Sequence, residues 1–338
     1  MTALRIVVIG AGHMGALHAH KLHALAREGL EVELAGVVDV VGERAEALAQ
    51  TLGVVGAEDY DELLTKADAV IVAVPTVEHY RVVMDALKAG LHVLVEKPIA
   101  ASLPEAEALL ATARSEGRRL QVGHLERFNT ALRRVADSIR EPRFIEAHRL
   151  GPFPGRSTDV DVVRDLMIHD LDIILRLVGA EPERIEAVGV PVISEKLDIA
   201  NARLTFPTGC VANVTASRVS PTPLRKIRIF QPDGYLSIDF LDHRAAIFRA
   251  DSAVAEPSAP PGPDGSTLVG VPGADASIRM EPLELDREDA LAEQLRDFVE
   301  AVRTGSEDAV AAEQALSALR TALRITDAMP SFEIGGAS

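Results

Sequence analysis

The first third of the chain alternates between two hydrophobic periods. Residues 5–9 are a largely β-branched run, apolar after Arg5, that reads as a buried strand, and 33–38, 69–74, 92–95 and 120–122 continue the series of strand-like runs. Between them lie stretches with helical spacing: one that follows the Gly10–Gly15 segment and ends near Gly29, 42–52, 61–66, one opened by Pro75-Thr76 and closed at Gly90, and one from Ser102 to Gly117. Ser102 and Glu105 are spaced as a capping box with Pro104 inside it, and glycine is the usual residue just past a helix end. Strands that alternate with helices predict a doubly wound parallel sheet over residues 1–123.

Beyond Gly123 the pattern changes. Helical periods cover 129–139 and 161–178, followed by strand-like runs near 185–192, 199–206, 211–217, 226–230, 235–240 and 245–249. Pro207-Thr208-Gly209 and Pro232-Asp233-Gly234 are turn signals between neighbouring runs, so this sheet is expected to be mainly antiparallel. Residues 251–277 hold five Pro and four Gly and read as a loop, and the helical period returns over 288–302 and 311–329. The expectation is an α/β protein of two domains, residues 1–123 and 124–338.

Composition narrows the function classes. A chain of 338 residues, 47% of them hydrophobic, can bury a large core. A net charge of −16 argues against nucleic-acid or anionic-membrane partners, which need a concentrated positive field. Residues 124–164 nevertheless carry eight Arg against six Asp or Glu, and Arg218, Arg225, Lys226 and Arg228 form a second basic group. An anionic small substrate is compatible with these, although scattered arginines usually pair on the surface. Cys210 is the single cysteine; it excludes an internal disulfide and fits a reducing, cytoplasmic compartment. No run is long and apolar enough to span a bilayer, and the short apolar start passes straight into a glycine pattern rather than a signal cleavage site.

That glycine pattern is Gly10-Ala11-Gly12-His13-Met14-Gly15, between a strand and a helix as the dinucleotide fingerprint requires. Gly10 permits the tight turn, Gly12 lets the backbone approach a pyrophosphate, and Gly15 permits close helix–strand packing; the helix N-terminus supplies amides and a positive dipole end. The first domain is therefore expected to be of the Rossmann type. Asp39 follows the second strand, 24 residues beyond Gly15, where a carboxylate accepts from ribose hydroxyls and repels a 2′-phosphate; NAD is expected over NADP. Arg44 is the nearby cation that would favour NADP, and it is expected to face solvent. His13, His18, His20 and His23 are close in sequence but have no carboxylate or thiolate at ligand spacing, so no metal is expected.

Within 161–179, Asp165, His169, Asp172 and Arg176 are spaced by four, three and four residues and share one stripe of a helix that is otherwise almost all apolar. Either the stripe is an ordinary wet face, or it lines a ligand cleft. In the second case Asp165, one turn before His169, is placed to orient an imidazole base.

Several groups together resemble the glucose–fructose oxidoreductase, inositol dehydrogenase and MocA family: the glycine turn, Ala73-Val74-Pro75 with His79, His92-Val93-Leu94-Val95-Glu96-Lys97-Pro98, and Asp165 with His169 and Asp172. The resemblance implies an open, mainly antiparallel sheet in the second domain, a cis bond before Pro98, and pairing into a homodimer or homotetramer through that sheet. It implies cofactor contacts from Gly10, Gly12, His13, Met14, Gly15, Asp39, Val74, Pro75, His79, Glu96 and Lys97. Catalysis would fall to Lys97, Asp165 and His169 in a dehydrogenase acting on a sugar or polyol. Residues 121–129 and 225–230 are similar to a bacterial branch that contains UDP-N-acetylglucosamine 3-dehydrogenases, which implies a nucleotide sugar oxidised at C3. For such a substrate His124, Arg127, Asn129, Arg156 and Asp172 are the candidate contacts, Arg being suited to phosphate oxygens. The alternatives are a free sugar or polyol such as inositol, an NADP-dependent reductase running in the opposite direction, and a dinucleotide-binding sensor without chemistry.

Overall fold

The structure, a computed structural model, describes residues 3–153, 160–251, 265–270, 277–283, 285, 289–305 and 309–330. The chain divides into two units, Met1–Phe128 with Asp289–Leu319 and Asn129–Glu288 with Arg320–Ser338. The division at residue 123 therefore moves to 128, and a C-terminal segment returns to the first unit.

In the first unit, β1 (Leu4–Ile9), β2 (Val32–Val38), β3 (Val55–Ala57), β4 (Ala69–Val72), β5 (His92–Val95) and β6 (Leu120–Val122) form one sheet in the order β3-β2-β1-β4-β5-β6, and every pairing is parallel. Helices α1 (His13–Arg27), α2 (Gly42–Leu52), α3 (Asp61–Leu64), α4 (Thr76–Lys88) and α5 (Leu103–Ser115) lie where the periodicity predicts helices, whereas the short edge strand β3 between α2 and α3 is not among the predicted strands. The capping box is present at α5, where Glu105 accepts from the Ser102 N–H at 3.0 Å. β1 and β4 are central and apolar on both faces, with Ile6, Val7, Val8, Val70 and Ile71 wholly buried.

Outside that alternating series, the helix Ala290–Thr304 also packs on this unit. Its Leu295, Phe298 and Val299 join Ile6, Val8, Leu22 and Leu25 in one apolar cluster, each full burial contributing about 1.5–3 kcal/mol. Asp289 anchors its start, accepting from the Leu291 and Ala292 N–H groups at 3.0 and 3.1 Å and pairing with Lys21 of α1 at 2.5 Å. Amphipathicity alone does not say which sheet such a helix covers.

The second unit holds nine strands. They are β7 (Phe144–Leu150), β8 (Arg184–Val190), β9 (Ile199–Thr205), β10 (Val211–Ser217), β11 (Leu224–Gln231), β12 (Gly234–Asp239), β13 (Arg244–Asp251), β14 (Thr267–Gly270) and β15 (Ser277–Leu283). Their order is β14-β15-β13-β12-β11-β7-β10-β9-β8, antiparallel throughout except between β7 and β10. The sheet is thus mixed and mainly antiparallel. β14 lies inside the stretch read as a loop. β7 sits mid-sheet where no strand is predicted, because one of its inward positions is the charged Arg149. The helix α6 (Thr130–Ala136) precedes β7, and α7 (Ile168–Val178) packs on β7 and β10.

Among the described residues no helix is long and apolar enough to cross a membrane. Cys210 is buried, which pushes its thiol up to about 11, the value of an inert side chain.

Candidate active site

In the first unit the functional segments lie at the carboxyl ends of the parallel strands. Gly10 has a φ of 101°, and a Cβ on Gly15 would stand 1.7 Å from the Gly10 carbonyl oxygen, so only glycine closes this turn. A Cβ on Gly12 would meet nothing within 4 Å. The turn is therefore tight underneath and open above, at a helix whose first amides have no partner inside the helix. That is the space and the donor set a pyrophosphate needs. His13 is exposed and Met14 half-buried beside it. Asp39 is half-buried; one carboxylate oxygen accepts from the Ala11 N–H at 2.8 Å and the other from the Val41 N–H at 2.9 Å. Each keeps a lone pair for a ribose hydroxyl. Arg44 is exposed, as expected.

The next two strand ends carry the rest. Val74 and Pro75 follow β4, and Glu96-Lys97-Pro98 follows β5 with a cis Lys97–Pro98 bond. His79 of α4 is 1% exposed and spans the two: Nδ1 lies 2.8 Å from the Pro98 carbonyl oxygen and Nε2 2.9 Å from that of Val74. Burial lowers its pKa against the opposing pull of these carbonyls. His79 thus braces the strand ends from inside. Glu96 accepts from His18 of α1, Oε1 to Nε2 at 2.7 Å, with side-chain exposures of 12% and 0%. Burial would push the Glu96 carboxyl up, but the His18 hydrogen bond and the charges of His18, Lys97 and His79 outweigh it and hold it below its usual range.

In the second unit the predicted helix is present with a modified start. Val163–Met167 winds as a π-turn before α7 continues to Val178, and Gly179 closes it at φ 69°. Asp161 caps the start, accepting from the Val163 and Arg164 N–H groups at 2.9 and 3.0 Å and from Arg164 Nε at 2.8 Å. Asp165 lies in the π-turn and His169 in the first turn of α7, both half-buried; Asp172 is 1% exposed and Arg176 is exposed. The stripe is most buried at Asp172 and reaches solvent at Arg176.

Two buried ion pairs hold this segment. On α7, Asp170 receives a forked pair from Arg149 of β7, Nε at 2.9 Å and Nη2 at 3.0 Å. Ahead of it, Arg218 donates to Asp198 at 2.8 Å, to the Val160 carbonyl at 3.0 Å and to Ser194 Oγ at 3.0 Å. Asp198 also accepts from the Val192, Ile193 and Ser194 N–H groups. Burial raises its pKa, but these amides, Ser194 and Arg218 outweigh it and leave Asp198 far below the carboxylate range.

Comparison with known proteins agrees with both halves of this description. Residues 4–124 match the model of an oxidoreductase family with an NAD-binding Rossmann fold, and 136–237 match the GFO/IDH/MocA C-terminal domain. UDP-N-acetylglucosamine 3-dehydrogenase from Acidithiobacillus ferrooxidans is 38% identical over 98% of this chain and 99% of its own. The chain belongs to the GFO/IDH/MocA oxidoreductase family. A solved structure of the same Acidithiobacillus enzyme superposes with a TM-score of 0.86 over 97% of this chain and 98% of its own. scyllo-Inositol 2-dehydrogenase (NAD(+)) from Bacillus subtilis is 31% identical over 64% of this chain and 68% of its own.

As a member of the family the chain is an oxidoreductase. Among the predicted contacts, His124 is 1% exposed, and Arg127 lies half-buried in the 3-10 turn Leu125–Phe128. Asn129 caps α6, its side chain accepting from the Ala131 N–H at 2.9 Å. Arg156 lies outside the described residues. Arg218, counted with a basic group, is 1% exposed and paired with Asp198. Sequence reasoning set His18 aside as a helix residue and left Arg149 and Arg218 without partners. Their signal is a charged side chain in an apolar run, which announces a partner without naming it.

Proposed function

We propose that this protein is an NAD-dependent dehydrogenase that oxidises the C3 hydroxyl of UDP-N-acetylglucosamine to a ketone. The observation that carries the reading is the 38% identity to the Acidithiobacillus enzyme across nearly the full length of both chains. In support, the fixed Asp39 carboxylate suits ribose hydroxyls and disfavours a 2′-phosphate. Gly10, Gly12, His13, Met14, Gly15, Asp39, Val74, Pro75 and Glu96 would form the cofactor seat, with His79 bracing it from beneath.

Bound NAD would supply the acceptor for the hydride that leaves the carbinol carbon. The protein's own residues manage the oxygen. His169, oriented by Asp165, would take up the hydroxyl proton on its imidazole ring, and Lys97 would be a donor that stabilises developing negative charge. Arg127 and Arg156 would pair with the diphosphate, and His124, Asn129 and Asp172 would bind the sugar.

The test is a turnover panel with excess NAD and UDP-N-acetylglucosamine, its uronic acid form, UDP-glucose, glucose and myo-inositol. UDP-N-acetylglucosamine is expected to be turned over fastest. Activity confined to the uncharged sugars would replace the nucleotide-sugar reading with the polyol reading that the inositol dehydrogenases suggest. The functional protein is proposed to be a homodimer or homotetramer in the cytoplasm, joined through the second sheet. By strand alternation the face opposite Arg149 carries Phe144, Phe230, Tyr235 and Phe248, half-buried in the single chain, with neighbouring ring centroids 5.8, 5.0 and 4.3 Å apart, the first pair tilted and the other two stacked. Light scattering that returns only monomer would exclude it.

A further inference from the structure

His18 sits on the buried face of α1 with Ala19, Leu22 and Leu25, all at most 2% exposed. An apolar side chain would fill such a place at lower cost. The imidazole makes one hydrogen bond, Nε2 to Glu96 at 2.7 Å, while its Nδ1 is buried without a hydrogen-bond partner. A buried polar atom left this way costs about 1–3 kcal/mol, so the Glu96 bond is what the histidine offers in return.

The space around Glu96 is shaped for a charged carboxylate. A Cβ on Gly123, just past β6, would lie 3.1 Å from both Glu96 oxygens, a tight contact from which the carboxylate would have to shift by a few tenths of an ångström. The charged and titratable groups acting on Glu96 are His18 from α1, His79 from α4 and the adjacent Lys97. Glu96 thus joins the helix that begins at the glycine turn to the strand end that carries Lys97.

We propose that His18 is a positioning residue for Lys97: by donating from Nε2 it fixes the Glu96 carboxylate, whose charge acts on the adjacent Lys97, and ties the cofactor-turn helix to the Glu96-Lys97-Pro98 segment. The inference rests on the proposed role of Lys97, and it extends that role by naming what sets the lysine. Only geometry and charge are involved; no bond to His18 forms or breaks.

Two substitutions separate positioning from packing. His18→Gln keeps an N–H at the reach of Nε2, whereas His18→Leu keeps volume and removes the donor. Glu96 is titrated by carbon NMR on glutamate-labelled protein, and Lys97 is followed by mass spectrometry of its labelling with an amine reagent. In His18→Leu the Glu96 titration is expected to move up and Lys97 to label at least threefold faster; His18→Gln is expected to restore both. With substrate, kcat of His18→Leu is expected to fall at least tenfold with little change in the KM for NAD. A folded His18→Leu protein with both readouts unchanged overturns the proposal. If His18→Leu does not fold, Glu96→Gln takes its place in the labelling experiment, and an unchanged Lys97 rate is again the overturning result. Neither readout needs a sugar, so an inactive substrate panel would refute the functional reading and leave this test standing.

Discussion

In the first unit the segments at the strand ends are held by backbone geometry and short local bonds: a turn that admits no Cβ at Gly10 or Gly15, an aspartate on two amides, and histidines against carbonyls and a carboxylate. The second unit holds its helix with two forked or branched arginine–aspartate pairs, Arg149–Asp170 and Arg218–Asp198, all four residues at most 3% exposed. The first arrangement tolerates little change of shape. The second tolerates little change of charge, since removing one partner strands the other in a dry site. Substitutions should therefore fail in different ways in the two units.

The largest effect is expected at Arg218. Arg218→Met keeps much of the volume and leaves Asp198 uncompensated, at a cost of about 3–5 kcal/mol. Chemical denaturation would measure it. The double variant Arg218→Met with Asp198→Asn should recover part of the loss, because no charge remains stranded and the amide oxygen can still accept from the Val192, Ile193 and Ser194 N–H groups. If the single variant matched the stability of the parent protein, the contrast between the units would collapse.

A smaller effect of another kind is expected at Gly12. Open space surrounds its missing Cβ, and its φ of −69° suits any residue. Gly12→Ala should stay within about 0.5 kcal/mol of the parent in stability. It should nevertheless weaken NAD roughly tenfold or more, about 1.4 kcal/mol, because a methyl would occupy the approach to the phosphates. NADH fluorescence titration reads the affinity and thermal unfolding reads the stability. At Gly15 no such separation is available, since the methyl would strike the Gly10 carbonyl.

The same contrast explains what was legible in the sequence. The glycine turn, Asp39, the capping box of α5 and Glu96-Lys97-Pro98 each express a local constraint, and local constraints leave residue types at fixed offsets. The helix with Asp165 and His169 was legible because its apolar face is nearly continuous. β7 was not, because Arg149 interrupts its inward face and its partner Asp170 is 21 positions away. The return of Ala290–Thr304 to the first unit was hidden for a similar reason: Leu295 and Phe298 declare an apolar face but not which sheet receives it. The π-turn at Val163–Met167 has no residue signature in this sequence, so a single regular helix was the natural expectation.

Cofactor choice sharpens the comparison within the first unit. Asp39→Ala removes an acceptor for the ribose and a charge that repels a 2′-phosphate, so NAD should weaken and NADP should gain. The ratio of the two affinities is expected to shift roughly tenfold, about 1.4 kcal/mol. Equal binding of NAD and NADP by the parent protein would remove the basis for the effect. Because the carboxylate also holds the Ala11 and Val41 amides, the variant should show slightly lower thermal stability as well.

The smallest effect concerns His79, whose ring nitrogens both face carbonyl oxygens. A neutral imidazole can donate to only one of them, whereas an imidazolium could donate to both, so the geometry alone would suit the charged form. Burial opposes it and prevails, leaving the pKa lowered in the folded protein. With the unfolded value near 6.5, the unfolded chain then binds more protons, and stability is present above that pH and lost as the pH falls below it. Between pH 7 and 6 this one group is therefore expected to lower stability as the pH falls. Denaturant unfolding at both pH values, in the parent and in His79→Gln, isolates it as a difference of slopes, since the glutamine does not titrate. A shallower slope in His79→Gln is the expected result. A steeper one would mean that His79 is held as the cation, and the first unit too would then be secured by a buried charge.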